Sequence, residues 1–110
     1  MNYEKINNEI KKFVEERDWD QFHSPKNLSM ALSVEASELV EIYQWKKEDD
    51  YKTDDVKIKD AVKDELVDIF FYLMRMCHKT NIDLEKSFYE KMEKNKKKYP
   101  VDKFKGKSNI

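Results

Sequence analysis

The run Ile58-Lys59-Asp60-Ala61-Val62-Lys63-Asp64-Glu65-Leu66-Val67-Asp68-Ile69-Phe70-Phe71-Tyr72-Leu73-Met74-Arg75-Met76 decides the fold. At about 100° per residue, Ile58, Val62, Ile69, Tyr72, Leu73 and Met76 gather on one side of a helix. Glu65 projects from near the centre of that stripe and Asp68 from its edge. The arrangement repeats upstream, where Leu28, Leu32, Leu39 and Ile42 form a stripe with Glu35 in its middle and Glu38 at its edge. Ionised carboxylates are almost never buried without partners, because lost hydration costs several kcal/mol per ion. No basic residue occupies the two stripes to neutralise these acids, so two such pairs facing each other demand a cation.

Working outward, the punctuation predicts four helices. The first covers about residues 2–17, with Tyr3, Ile6, Ile10, Phe13 and Val14 as its stripe, and residues 18–25 form a connection. The second starts near Asn27 or Leu28, after Ser24 and Pro25, and fades after Trp45. Residues 46–56 read as a polar, mobile loop. The third occupies residues 56–80, and Asn81 or Asp83 caps a fourth, with Leu84, Phe88, Met92 and Tyr99, that ends before Pro100. The tail from Val101, with Gly106 and Ser108, reads as poorly ordered, which leaves one domain over residues 1–100. With one Gly, two Pro and no Asn-Gly or Asp-Gly hairpin signal, the expectation is an all-α, four-helix bundle-like fold. The third helix is apolar on more than one side around residues 69–74, wider than a four-helix monomer needs, so a second subunit is expected to cover it.

Composition narrows the function classes. In 110 residues, 39% are hydrophobic and 41% charged, yet the net charge is −1, which argues against a nucleic-acid or anionic-membrane partner. The longest apolar run, residues 69–74, is far below the roughly 20 residues that cross a bilayer, and the N-terminus lacks a secretory layout. A soluble, cytoplasmic protein is expected. The single Cys77 has no companion at zinc spacing and reads as a buried structural thiol.

Carboxylates alone make a hard oxygen site, suited to Mg²⁺ first and Mn²⁺ as its substitute, and unsuited to zinc. Mg²⁺ commonly binds through a few carboxylates plus substrate phosphates, so the cluster points to phosphoryl or nucleotidyl chemistry. For any one Glu, a surface ion pair is the better reading. Four acids in matching helical phase weaken it, since two like charges about 4 Å apart repel by roughly 4 kcal/mol at an effective dielectric near 20. Di-iron carboxylate bundles use Glu-x-x-His on two helices, and the chain has no such motif.

Three segments carry a family resemblance: Arg17-Asp18-Trp19-Asp20-Gln21-Phe22-His23-Ser24-Pro25-Lys26-Asn27-Leu28; Glu35-Ala36-Ser37-Glu38-Leu39-Val40-Glu41 followed by Gln44-Trp45; and Asp64-Glu65-Leu66-Val67-Asp68-Ile69. Together with the closing Lys91-Met92-Glu93-Lys94-Asn95-Lys96-Lys97-Lys98-Tyr99-Pro100, they resemble the all-α nucleotide pyrophosphohydrolases. More narrowly, they are similar to the MazG-like branch that includes the dCTP pyrophosphatases. The resemblance implies hydrolysis of a nucleoside triphosphate between the α- and β-phosphates, giving a nucleoside monophosphate and pyrophosphate in nucleotide-pool cleansing. It implies that Glu35, Glu38, Glu65 and Asp68 hold Mg²⁺, with Glu38 or Glu41 accepting a proton from the attacking water. It also favours dCTP or a related pyrimidine deoxynucleotide, and a homodimer or a dimer-of-dimers homotetramer.

Substrate contacts follow from the same resemblance, each beside a plainer reading. Trp19 and Trp45 are packing aromatics or base stackers, and the resemblance favours stacking. His23 is a solvated loop histidine or a nucleotide contact. Asn27 is a helix cap or a hydrogen-bond partner of base or sugar, and Tyr72 either packs or bounds the sugar. Lys98, with Lys96 and Lys97, is a solvated face or an approach to the phosphates, with Asn95 and Tyr99 lining the same pocket. A nucleotide-binding or regulatory helical oligomer without turnover is the alternative function.

Overall fold

The computed structural model describes residues 1–48 and 55–107. Among them the secondary structure is entirely helical, as the sequence predicts, in two compact units, residues 1–80 and 81–110. The central residues of the predicted 46–56 loop, 49–54, lie outside the described set, as do residues 108–110.

The first unit holds α1 (Tyr3–Glu16), a single 3-10 turn (Asp20–Phe22), α2 (Pro25–Tyr43) and α3 (Val56–Thr80). Each helix begins where a side chain takes up an otherwise unpaired backbone N–H. Asn2 accepts from Lys5 N, Ser24 from Asn27 N, and Asp55 Oδ1 from Lys57 N at 2.9 Å. With Ser24 as cap, Pro25 is the first helical residue, so α2 starts two residues before the expected Asn27. Proline suits that position because its missing N–H has no intrahelical partner there. After α1, Asp18 turns left-handed at φ 53°, a conformation that Asp and Asn tolerate better than most residues. The backbone N–H of Trp19 then donates to Val14 O at 3.1 Å, folding the chain back over the end of α1.

α2 packs along α3 and α1 leans on α3. Val14, Leu28 and Met74 are the fully buried apolar side chains, one from each helix. The predicted stripe of α3 is half-buried along its length, from Ile58 through Glu65 to Met76. Cys77 is also half-buried, and burial pushes its thiol up.

The second unit contains α4 (Leu84–Lys98), capped by Asp83 through Lys86 N, and α5 (Val101–Phe104). The sequence reading expects a poorly ordered tail here. Instead Pro100 opens a helical turn in which Phe104 packs edge-on against Tyr99, with ring centroids 5.1 Å apart. No helix among the described residues is long and apolar enough to cross a membrane.

Candidate functional site

Facing positions on α2 and α3 bring three of the four predicted acids together. One carboxylate oxygen each from Glu35, Glu38 and Glu65 lies within 4.8 Å of the others. Glu35 Oε2 and Glu65 Oε2 are sealed from solvent without a hydrogen-bond partner. Burial, then the neighbouring carboxyls of Glu38 and Glu65, push Glu35 up to about 7. Burial likewise raises Glu65, with Glu38 and Asp68 adding repulsion. Orphaned carboxylate oxygens of this kind are costly unless a proton or a cation compensates them. An all-oxygen donor set with two unpartnered atoms aimed inward fits a hard divalent cation. Asp68 does not join the trio, but it shares a cavity wall with Glu35.

That cavity, about 430 Å³, is lined by Glu9, Ile10, Phe13, Trp19, Glu35, Asp68, Phe71 and Tyr72. Phe13 is the hinge of its aromatic wall. Its ring meets Trp19 edge-on at 5.6 Å and Phe71 at 5.9 Å, while Phe71 meets Tyr72 at 5.2 Å. Burial and the carboxylates of Glu35, Asp68 and Glu38 raise the Tyr72 phenol, which stays protonated beside the acids. The cavity thus combines four aromatic rings with the carboxylates of Glu9, Glu35 and Asp68. Of the residues expected to contact substrate, Trp19 and Tyr72 line this cavity.

His23 stands behind the wall, with its ring 6.4 Å from Phe71 and 6.5 Å from Tyr72. Asn27 lies inside α2, where Ser24 rather than Asn27 is the cap, and its amide donates from Nδ2 to Phe22 O at 2.9 Å. Trp45 is 88% exposed just beyond α2 and lines no part of the cavity. Asn95, Lys98 and Tyr99 belong to the second unit. There Tyr99 N donates to Asn95 O, and the Lys98 ammonium lies 5.3 Å from the Tyr99 ring. Glu41 lines a separate shallow depression of about 310 Å³ with Glu38, Ile42 and Glu65.

The sequence reading missed Ile10 and Phe13 as cavity walls, because a helical stripe does not distinguish a residue that lines a cavity from one that fills a core, and missed Glu9 and Phe71 because they lie outside the stripes. It also missed Arg75. This side chain is 2% exposed and lies seven residues, nearly two turns, beyond Asp68, at almost the same helical phase. The expectation that no basic residue shares the acids' stripes therefore needs correcting. Arg75 nonetheless leaves the acids unpaired: its Nη2 donates to Asp20 Oδ1 at 2.7 Å and its Nε to His23 Nδ1 at 3.0 Å. Lys79 Nζ reaches the same Asp20 oxygen at 2.6 Å. Lys79 and Arg75 together hold the Asp20 carboxyl below its usual range.

Comparison with known proteins agrees with the all-α fold. A family model described as the MazG-like family matches residues 30–109. The chain is 40% identical to dCTP pyrophosphatase 1 of Rattus norvegicus over 91 residues, covering 81% of this chain and 54% of that protein. Identity to the Homo sapiens protein of the same name is 36% over the same shares. The chain therefore spans about half the length of the curated relatives it matches. The crystal structure of a pyrophosphatase from Archaeoglobus fulgidus matches with a TM-score of 0.80 at 33% identity, covering 91% of this chain and 94% of that one. With α3 to α5 and most of α2 falling inside the matched region, the chain belongs to the MazG-like family.

Proposed function

We propose that the protein is a nucleoside triphosphate pyrophosphohydrolase that cleaves between the α- and β-phosphates of dCTP or a related pyrimidine deoxynucleotide, releasing pyrophosphate. The observation that carries this reading is the aromatic cavity of Phe13, Trp19, Phe71 and Tyr72, whose remaining wall includes Glu35 and Asp68. The named relatives support the substrate class.

In this reading the aromatic box takes the base. Stacking on an indole contributes about 1–3 kcal/mol and tolerates any base, so it orients the nucleotide more than it selects it. Glu35, Glu38 and Glu65, with Asp68, would hold Mg²⁺, for which Mn²⁺ substitutes. When bound, that ion neutralises phosphate charge and lowers the pKa of water. Glu38 or Glu41 takes the proton from the attacking water, and Glu41's place beside Glu38 and Glu65 supports a role in that transfer. The raised Tyr72 hydroxyl remains a donor, suited to a sugar or phosphate oxygen.

The functional form is read as a homodimer or a dimer of dimers. What supports this is the apolar surface of α2 and α3: Val34, Val40, Leu66 and Val67 are each more than half exposed. Surface of this kind commonly marks a protein–protein contact.

A panel of nucleoside triphosphates with Mg²⁺, scored for pyrophosphate against orthophosphate, tests the reading. Pyrophosphate from dCTP, abolished by Glu38→Ala, is the expected result. Orthophosphate as first product, or tight binding with no product, overturns it.

A further inference from the structure

Arg75 is the one buried charged side chain among the described residues, and none of its contacts is explained by metal holding. Its guanidinium fork bridges two points of the segment that follows α1. Nη2 meets Asp20, the first residue of the 3-10 turn, and Nε meets His23, the residue that ends it. The turn's N-cap is Trp19, whose indole forms part of the cavity wall. One helical turn before Arg75 on α3 stands Phe71, which touches both Phe13 and His23 edge-on. A single helix thus supplies Phe71 to the cavity wall and, through Arg75, the tether for the turn that follows Trp19.

The donor chemistry fixes more than position. An arginine Nε always carries its hydrogen, so His23 Nδ1 must accept and its proton must reside on Nε2. Protonating His23 at Nδ1 would set two N–H groups against each other. A lysine at position 75 retains the charge but presents a rotating ammonium without the planar fork that serves both partners at fixed angles.

We propose that Arg75 is a positioning residue: by clamping Asp20 and His23 it holds the 3-10 turn against α3, keeps His23 as the Nε2–H tautomer, and so sets Trp19 in place as the wall against which the base stacks. The role in base stacking rests on the pyrophosphohydrolase reading above; the clamp itself does not. Arg75 touches neither the acids nor the cavity, so its loss should affect substrate affinity more than turnover.

The test uses the full chain. In Arg75→Lys, helical content by circular dichroism stays native, while ¹⁵N shifts of the His23 ring show a mixture of tautomers in place of Nε2–H alone. In a Trp45→Phe background, where Trp19 is the sole indole, its emission shifts to the red. With dCTP and Mg²⁺, KM rises by about 10-fold, as a small misplacement of a binding wall allows, and kcat stays within about 2-fold of the Trp45→Phe parent. Asp20→Asn, at the exposed end of the clamp, serves as the second variant should Arg75→Lys fold poorly, and moves emission and KM in the same direction. An Nδ1–H tautomer in the native protein overturns the proposal. So do folded variants with unchanged Trp19 emission and unchanged KM, or a loss confined to melting temperature. If the native protein leaves dCTP intact, the pyrophosphatase reading fails, while the tautomer and emission still decide the clamp.

Discussion

Glu35 on α2 and Glu65 on α3 each hold a carboxylate oxygen out of solvent, and neither oxygen meets a hydrogen-bond donor among the described residues. Two anions held this way destabilise the chain on its own and make it responsive to whatever compensates them.

Divalent metal should therefore stabilise the fold. At a Mg²⁺ concentration 100 times its Kd, linkage gives about 2.7 kcal/mol, read as a rise in melting temperature. Glu35→Gln and Glu65→Gln should each remove most of that rise. A full metal response in both variants would place the ion elsewhere.

The pH response has a definite sign. Glu35 binds its proton more tightly in the folded chain, up to about 7 from 4.5, so its contribution is full below pH 4.5 and is lost as pH rises through 7. Glu35→Gln lacks that loss. In chelator, the variant's advantage over the native protein should be small at pH 4.5 and largest near pH 8, measured as the difference in urea midpoint. His23, which burial and Arg75 hold below its usual value, acts with the opposite sign as pH falls. Because both proteins contain it, it cancels from the difference.

Removing the Trp19 indole should cost about 1–3 kcal/mol of base stacking, or a KM rise of roughly 5- to 150-fold, with kcat much less affected. Trp19→Phe should recover part of the loss. Steady-state kinetics on dCTP provide the check.

Asn27 illustrates a site where structure and substrate binding compete for one side chain. Its amide donates to Phe22 O, so Asn27→Ala should lower stability by about 1 kcal/mol, or roughly 4–8 °C in melting temperature for a domain of this size. A KM change with no loss of stability would return Asn27 to the substrate-binding set.

The acids were legible in the sequence because a carboxylate within an apolar stripe contradicts the ordinary logic of burial. Helix starts were legible because Ser24 and Asp83 leave a chemical signature at the positions they cap. The aromatic box was not. Phe13 obeys the same periodicity whether it packs a core or walls a cavity, Phe71 lies off the α3 stripe altogether, and only the space between helices shows that both line one chamber. Arg75 escaped for a different reason: its partner Asp20 lies 55 positions away, and no local pattern reports a contact across such a separation. Trp45 resembles a stacking residue in sequence, yet within this chain its ring meets open solvent.

The left-handed backbone at Asp18 has a further consequence. A side chain branched at Cβ resists that geometry, so Asp18→Val or Asp18→Ile would strain the corner by which the polypeptide leaves α1. The strain would surface one residue later, where the indole would swing off its perch. The placing of one indole in the cavity wall thus depends in part on the handedness of a single peptide corner outside it.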